Sequence, residues 1–287
     1  MADFVVIGAL ALDRPIWLNR PLSPGVRLRG STLAGAMAGR LGGGAANAGV
    51  ALARAGHRVS LAAFVRQDPD GAAAIAAAQA AGLETTQVHS LAGRSKTTLI
   101  LIDPAGERTI LGLDLDPEAP PALDPPDAGK VIEGLFVRGG YPGCDAWAKA
   151  CRGPVVAHWP TGRFEGPCDL LVGSADDCSD AERHDPYAAG RSRMGDRLQW
   201  FVMTCGAGDV IAYGPAHSVR VTPPQVKAVD TTGAGDVFAA GLLEAFVAGA
   251  DIEAALQHAC AWGATAVGEE GSAPISGIFQ SFRRTLT

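Results

Sequence analysis

Short apolar runs alternate with alanine-rich stretches along this chain, and this alternation constrains the fold more than any other feature of the sequence. The candidate strands are the runs rich in Val, Ile and Leu at Phe4–Gly8, His57–Val65, Leu135–Arg138, Val155–His158, Leu170–Val172 and Phe201–Thr204. The candidate helices are Asn47–Ala55, Gly71–Ala81, Ala234–Ala248 and Asp251–Val267. This order is typical of a mostly parallel sheet covered by helices. The sequence therefore predicts a single α/β domain over residues 1–287.

Two extended segments interrupt the alternation. Lys96–Asp103 and Arg108–Leu113 flank the turn residues 104–107, and this pattern predicts an antiparallel hairpin. Ile16–Arg29 is also extended, with prolines among alternating apolar residues. We expect residues 13–40 and 95–114, approximately, to form a small antiparallel β lid over the active site. A surface hairpin without a function is the alternative.

The composition argues against several classes of function. The chain of 287 residues is 47% hydrophobic and can bury a sizeable core. Its net charge of -6 and scattered arginines do not predict a nucleic-acid partner. The apolar runs are too short for a membrane span, and the first residues lack the basic segment of a signal peptide, so we expect a cytoplasmic protein with no membrane partner. The six cysteines lack CxxC spacing, which favours reduced thiols.

The segment Val229–Gly241, with the sequence VDTTGAGDVFAAG, indicates a phosphoryl-binding turn. A strand-like run, Gln225–Val229, precedes it, and the candidate helix from Ala234 follows it. Glycines on both sides of Ala234 allow a tight turn and leave amide N–H groups uncovered at a helix N-terminus, which favours an anion. Asp236 then places a carboxylate beside the anion, where a base for phosphoryl transfer is needed. Ordinary helix capping is the alternative for such a turn.

This segment resembles the C-terminal signature of the ribokinase-like (PfkB-type) carbohydrate kinases. The N-terminal signature of that family is similar to Gly42–Gly56, with the sequence GGGAANAGVALARAG. The resemblance implies a ribokinase-like three-layer sandwich and transfer of the γ-phosphate of ATP to a hydroxyl of a sugar or sugar acid. The chain contains neither the P-loop sequence GxxxxGK[ST] nor a GxGxxG after the first strand, which disfavours a P-loop kinase and a dinucleotide-dependent dehydrogenase.

The resemblance also implies a role for each residue that matches the family pattern. The catalytic group would comprise the base Asp236 and an anion hole made by the backbone of Gly233, Ala234 and Gly235. The acceptor would contact Asp13, Gly42, Gly43 and Asn47. The nucleotide ATP would contact Ser174, Thr204, Gly206, Gly208 and Cys260. Asp177 would act on Mg²⁺, and Asp230 and Thr232, with carbonyls near 271–273, would form the K⁺ site found in many members.

Other interpretations of these residues stay open at this point. Without the resemblance, Asn47 fits a helix N-cap, Asp13 a solvated loop charge and Cys260 an ordinary buried thiol. The arginines that could pair with an acidic substrate, or simply be solvated, are Arg108, Arg138 and Arg163. A lid with exposed apolar residues could also pair with a second copy of the chain, so a homodimer is a further expectation.

Two alternative functions stay open. The Asn-x-x-Glu motif, which helps to organise magnesium and phosphate, is replaced by Ser174–Asp177, and GDDxxG is replaced by Arg66–Gly71. The altered Asn-x-x-Glu motif makes a catalytically silent sensor of a sugar or nucleotide one alternative, although the intact Asp236 argues against it. A nucleoside kinase is the other, since the family includes such kinases, but few aromatic residues apart from Trp17 lie near Asp13 and Asn47 to stack on a base.

Overall fold

The apolar runs form two β-sheets in the computed structural model of this protein, and helices cover both faces of the larger sheet. The structure describes residues 1–32, 39–105, 108–113, 119–127, 129–274, 277 and 279–282. The strands are β1 (Asp3–Gly8), β2 (Ala11–Leu18), β3 (Gly30–Ser31), β4 (Arg40–Gly42), β5 (Arg58–Arg66), β6 (Glu84–Leu91), β7 (Thr97–Ile102), β8 (Arg108–Leu113), β9 (Gly134–Arg138), β10 (Val155–His158), β11 (Leu170–Ser174), β12 (Trp200–Thr204), β13 (Val210–Tyr213) and β14 (Ser218–Val221). The helices are α1 (Gly44–Arg54), α2 (Pro69–Ala80), α3 (Cys144–Ala150), α4 (Asp180–His184), α5 (Pro186–Met194), α6 (Ala234–Val247) and α7 (Ile252–Val267), with a 3₁₀ turn at Ala175–Asp177.

The larger sheet has nine strands in the order β14-β13-β12-β11-β10-β9-β1-β5-β6. The strands from β12 to β6 in this order pair in parallel. The pairings of β12 with β13 and of β13 with β14 at one edge are antiparallel. The mostly parallel sheet predicted from the sequence is confirmed. Because parallel strands point the same way, their carboxyl ends lie along one edge of the sheet.

Side chains that alternate along β1 fill two separate cores. Phe4 and Val6 pack in a cluster with residues of α1, α2, α6 and α7. Val5 and Ile7 point to the other face, where they join Trp147 of α3 in a second cluster. Since successive side chains of a strand point to opposite faces, this alternation places helices on both sides of the sheet. The result is the three-layer α/β sandwich that the sequence predicts.

The smaller sheet is formed by the segments that interrupt the alternation of strands and helices. Its strand order is β3-β2-β7-β8, with β4 also paired to β2. The predicted hairpin is confirmed, because β7 and β8 pair antiparallel from Thr97 opposite Leu113. The pairing of β2 with β7 is parallel, so the sheet is antiparallel except at that pair. Residues 33–38, 106–107 and 114 of the expected lid lie outside the described residues.

The extended segment Ile16–Arg29 forms less strand than its pattern predicts. Strand β2 ends at Leu18, and the residues that follow form an irregular loop up to β3. Two prolines, Pro21 and Pro24, lack the N–H that a continued ladder needs. The loop is closed by a hydrogen bond from the N–H of Asn19 to the carbonyl of Arg29, at 3.0 Å.

One further expectation about secondary structure is wrong. Gln225–Val229 forms no strand, and it follows Pro223 and Pro224, which cannot donate to a ladder. The charged segment Asp176–Asp196 contains α4 and α5. Side-chain caps start both helices: Ser179 forms a capping box with Glu182, and Asp185 accepts from the amide of Ala188.

The cysteines of this chain form no disulfide bond in the structure. All six cysteines are unpaired, and five of them are buried. Within the described residues, no helix combines the length and the apolar character needed to cross a membrane.

A buried carboxylate, Glu244, attaches the C-terminal segment to α6. Its oxygens lie 3.2 Å from Nε2 of His57 and 3.0 Å from Nε2 of His258, and they accept hydrogen bonds from the amide of Phe282. Burial alone would raise the pKa of Glu244, but the hydrogen bonds from the two histidines and the amide outweigh burial and lower it to about 2.

We expect Glu244→Gln to lower the free energy of unfolding at neutral pH by about 2–3 kcal/mol, because it breaks a buried charged cluster. The contribution of Glu244 is fully present above its ordinary pKa of 4.5 and is lost as the pH falls towards about 2. Urea unfolding of both proteins across this range should therefore give curves that converge at low pH. Glu253→Gln, at an exposed position in α7, is the control. A constant difference at every pH would contradict the assignment.

Candidate active site

The N-terminus of α1 lies at the carboxyl edge of the larger sheet because β4 and a glycine turn direct it there. Gly43 precedes the helix with a φ of 94°, a backbone conformation that favours glycine. A Cβ at Gly43 would lie 2.4 Å from the carbonyl oxygen of Ala9, so the two segments are in contact. Helix α1 also packs against α6. The two signature segments of the sequence are therefore brought together at this edge.

Asp236 lies in the first turn of α6 and is held by two side chains from other elements. Its residue is 8% exposed. Asn47 of α1 donates from Nδ2 to Oδ2 at 2.9 Å, and Arg138 at the end of β9 donates from Nε to Oδ1 at 3.0 Å. Each carboxylate oxygen keeps a further lone pair. The other atom of the Asn47 amide, Oδ1, is buried and has no hydrogen-bond partner among the described residues.

The start of α6 combines a glycine that cannot be replaced easily with one that faces open space. Gly233 has a φ of 78°, and a Cβ there would lie 2.2 Å from the carbonyl oxygen of Ser272. Gly235 is exposed, and no atom lies within 4 Å of the place that its Cβ would occupy. The amides of Ala234 and Asp236 donate within the turn, at 3.4 and 3.0 Å. The open amide of Gly235, at the helix N-terminus, is the one best placed to meet an anion.

Asp13 lies inside β2 rather than in a loop after the first strand, and it is buried. Ser272 donates a short hydrogen bond from its hydroxyl to Oδ2 of Asp13. A Cβ at Gly42 would lie 2.1 Å from the same oxygen, so glycine is required where the carboxylate approaches the backbone. Burial raises the pKa of Asp13, and the charges of Asp236 and Asp230 act in the same direction, against the Ser272 hydrogen bond and the charge of Arg40.

The residues expected on the nucleotide side lie at the ends of neighbouring strands. Ser174 ends β11 directly opposite Thr204, which ends β12. The turn after Thr204 contains Gly206, which has a φ of 53° and open space around its Cβ position. A hydrogen bond from the amide of Gly208 to the carbonyl of Cys205 closes this turn. Cys260 lies buried in α7, and burial raises the pKa of its thiol to about 11. Their contact with a nucleotide stays a prediction.

His158 and Arg138, at the ends of two strands, lie close to Asp236. The sequence did not predict that either residue would lie beside this carboxylate. Burial and the charge of Arg138 together lower the pKa of His158 to about 4, against the charges of Asp236 and Asp177. Nδ1 of His158 is buried and has no partner in the described part of the chain. Both residues end predicted strands, Leu135–Arg138 and Val155–His158. The rule that sites lie at the carboxyl ends of parallel strands would have found them.

The turn before α6 is held by Asp230, which is buried. The amides of Thr232 and Gly271 donate to its two oxygens at 2.9 and 3.0 Å. Arg40 and Arg108 lie at 3.5 and 3.2 Å from the same carboxylate. Burial alone would raise the pKa of Asp230, but these hydrogen bonds and the charge of Arg108 lower it.

One cavity lies beside the chain segment that precedes Asp13, and another borders the turn before α6. The first, of about 280 Å³, is lined by the segment from Ala9 to Leu12, by the basic side chains Arg94 and Lys96, and by the aromatic rings of Phe64 and Tyr141. The two rings lie 5.0 Å apart in an edge-to-face arrangement. The second cavity, of about 250 Å³, lies between the smaller sheet and the turn before α6; it is lined by Trp17, Arg40, Ile102, Asp103, Pro104, Arg108, Val229, Asp230 and Glu270.

Comparison with known sequences matches most of the chain to one family. The model of the pfkB family carbohydrate kinases matches residues 2–116 and 169–276. An ATP-dependent ribose-1-phosphate kinase of Halopiger xanaduensis is 30% identical over 84% of this chain and 86% of that protein. A nucleoside kinase of Methanothermobacter thermautotrophicus is 26% identical over 94% of this chain and 91% of that protein.

Comparison with solved structures gives the same fold at lower identity. Ribokinase from Cryptococcus neoformans in complex with ADP has a TM-score of 0.75 and is 20% identical over 97% of this chain and 98% of that one. Arabidopsis thaliana ribokinase complexed with ribose and ATP has a TM-score of 0.71 and is 19% identical over 96% of each chain.

Proposed function

Because this chain belongs to the pfkB family of carbohydrate kinases, we propose that it transfers the γ-phosphate of ATP to a hydroxyl of a sugar or sugar acid. Membership in the family makes the chain a kinase. The observation that carries the proposal is the position of Asp236, a buried carboxylate held by Asn47 and Arg138 next to the open amide of Gly235. This pairing of a base with an anion-binding helix end suits phosphoryl transfer, in which positioning and electrostatic stabilisation supply the catalysis.

The acceptor hydroxyl would lie between Asp13 and Asp236. The free lone pairs of Asp236 can accept the hydroxyl proton while Arg138 and Asn47 keep the carboxylate oriented. The buried Oδ1 of Asn47 can accept a hydrogen bond from a second acceptor hydroxyl. Asp13, kept in place by Ser272 and Gly42, can bind a vicinal pair of hydroxyls. The smaller sheet, acting as a lid, would exclude water as a competing acceptor.

The nucleotide would lie over the ends of β11 and β12, so that its terminal phosphate meets the N-terminus of α6. A magnesium ion bound with it would supply positive charge to the phosphates. Ser174 and Asp177 would hold that ion, directly or through water. Magnesium commonly takes one or two carboxylates and keeps several waters, so an exposed aspartate at 177 is adequate. The described residues contain no group of three His, Cys, Asp or Glu side chains that could form a cage for a metal ion.

A nucleoside acceptor is the second candidate, and the 280 Å³ cavity favours it. The aromatic pair Phe64 and Tyr141 lies beside the segment that leads to Asp13 and could stack on a base. The sequence did not reveal this pair because the two residues are far apart in the chain. The nucleoside kinase relative, 26% identical to this chain, also supports this candidate.

An acceptor panel tests the proposal and separates the candidates. We would measure magnesium-dependent release of ADP with pentoses, hexoses, sugar acids, phosphorylated pentoses and nucleosides, with ATP as the donor. Phosphorylated pentoses are included because one relative is a ribose-1-phosphate kinase. Turnover with a sugar, a sugar acid or a sugar phosphate is expected. Turnover with nucleosides alone would favour the second candidate, and no turnover with any acceptor would favour a silent sensor.

We further propose a homodimer formed through the lid. Ile110, Leu111 and Leu113 on the edge strand β8 are 62%, 43% and 41% exposed, and an exposed apolar edge strand is a surface that a second copy can cover. Ile110→Asp is expected to change the mass measured by light scattering from that of a dimer to that of a monomer. Val131→Asp, which alters an apolar residue of similar exposure outside the smaller sheet, should leave the mass unchanged. A monomeric unmodified protein would contradict the proposal.

A cytoplasmic location completes the proposal. It is supported by the use of ATP and by the six cysteines, none of which is paired in the structure.

A further inference from the structure

The side chain of Arg108 reaches from the smaller sheet to the turn that precedes the catalytic helix. Nη1 donates to Oγ1 of Thr231 at 2.7 Å, and Nη2 donates to the carbonyl of Val229 at 3.1 Å. Nε lies 3.2 Å from Oδ1 of Asp230, and the side chain of Arg108 is 15% exposed. One guanidinium group thus contacts three consecutive residues of the turn.

The carboxylate of Asp230 has little remaining capacity for another cation. The oxygens of Asp230 already meet the amides of Thr232 and Gly271 and the guanidinium groups of Arg40 and Arg108. The carbonyl of Val229 is taken by Arg108 as well. Asp103 and Glu270 line the adjoining cavity.

These contacts do not fit the potassium site that the family resemblance implies at Asp230 and Thr232. A potassium ion is held by several oxygens that replace its hydration shell. Here both oxygens of the Asp230 carboxylate accept backbone N–H groups, and two guanidinium groups already neutralise its charge. An added cation would be repelled by both guanidinium groups at short distance. The described residues therefore argue against a potassium ion at this position.

We propose that Arg108 replaces the monovalent cation, so that phosphoryl transfer by this enzyme does not require potassium. The guanidinium group fixes the turn at Val229–Thr232 and supplies positive charge beside the helix N-terminus that receives the phosphoryl group. Because Arg108 belongs to β8, this charge is contributed by the lid rather than by solvent. The inference rests on the proposed kinase activity. It identifies Arg108 as the source of positive charge beside the N-terminus of α6.

Potassium dependence of the unmodified protein is the first test. Turnover would be measured with potassium chloride replaced stepwise by tetramethylammonium chloride at constant ionic strength. A required cation would make turnover fall as potassium is withdrawn, and we expect turnover to be the same in both salts. Thermal unfolding in the same two salts is the second readout, because a bound ion raises the Tm by linkage. We expect no rise specific to potassium. This readout needs no acceptor, so it stays valid if the proposed acceptor class is wrong.

Substitution of Arg108 tests whether this side chain supplies the positive charge at the turn. Arg108→Ala is expected to lower turnover by about 10- to 100-fold, and added guanidinium ion at a concentration that does not unfold the protein should restore part of it. The 250 Å³ cavity beside Arg108 gives the ion a way in. Arg108→Lys keeps the charge but loses the planar guanidinium group, so its turnover should lie between that of the unmodified protein and that of Arg108→Ala. Thr109→Ala, at an exposed neighbour in β8, is the matched control and should behave as the unmodified protein.

Three results would overturn the inference. The first is a higher turnover of the unmodified protein in potassium chloride than in tetramethylammonium chloride, or a rise of its Tm that is specific to potassium. The second is an Arg108→Ala protein that turns over as fast as Thr109→Ala. The third is a loss of turnover in Arg108→Ala that guanidinium ion does not relieve, because the arginine would then have a purely structural role.

Discussion

Asp236→Asn is expected to lower turnover by about 10²- to 10⁴-fold, as the loss of a general base does, while the affinity for nucleotide stays close to its original value. The substitution keeps the size of the side chain and its hydrogen bond with Asn47. It removes the charge that accepts the acceptor proton and that pairs with Arg138. Single-turnover kinetics with the best acceptor of the panel would measure the chemical step, and calorimetric titration with ADP would measure nucleotide binding.

The control for this prediction is Asp196→Asn. Asp196 is an exposed aspartate paired with Arg191 after the end of α5, outside the proposed site. It should keep its turnover and its affinity for ADP. An Asp236→Asn protein that retained most of its turnover would remove Asp236 from the role of base, whatever the acceptor is.

Alanine at Gly233 and at Gly235 should have different effects although the two glycines are two residues apart. At Gly233 the positive φ and the 2.2 Å approach of the Ser272 carbonyl both oppose a Cβ. We expect Gly233→Ala to lose about 2–4 kcal/mol of stability together with most of its turnover. At Gly235 the Cβ would project into open space, so stability should be nearly unchanged.

Turnover is the quantity that identifies Gly235 as part of an anion site. If its amide receives the transferring phosphoryl group, a methyl group beside it should lower turnover by about 10-fold or more, in proportion to the 10²- to 10³-fold loss seen when such a donor is removed completely. Urea unfolding and steady-state kinetics on the two variants give the comparison. A Gly235→Ala protein with normal stability and normal turnover would contradict the anion-hole role.

The architecture was predictable because most strands of the larger sheet are buried on both faces. Such strands appear in the sequence as continuous apolar runs, and six of them were identified. The strands that were missed, β6, β13 and β14, lie at or near the edges of the sheet. Their exposed positions carry polar side chains, as in Glu84–Leu91. Half-exposed strands of this kind resemble loops in a single sequence.

The site was predictable as two segments but not as a set of contacts. The family resemblance identified the signature residues, and the structure places the carboxylate of Asp236 against Asn47. The contact of Arg138 with the base joins residues 98 positions apart, and that of Arg108 with Thr231 joins residues 123 positions apart. Local sequence patterns contain no information about such pairs. Arg108 and Arg138 could be named from the sequence as candidates for an acidic substrate, whereas the structure shows each of these two paired with a carboxylate of the protein itself.

The bond between Asn47 and Asp236 has a consequence for how this enzyme can diverge. The amide of Asn47 donates to Asp236 through Nδ2, and in the proposed mechanism its buried Oδ1 would accept from the acceptor. A mutation of Asn47 that suits a new substrate would therefore disturb the base at the same time. New substrate preferences should arise instead in the strands of the smaller sheet and around the 280 Å³ cavity, whose side chains can vary without moving the carboxylate. Directed evolution for a different acceptor should accordingly begin there and leave position 47 unchanged.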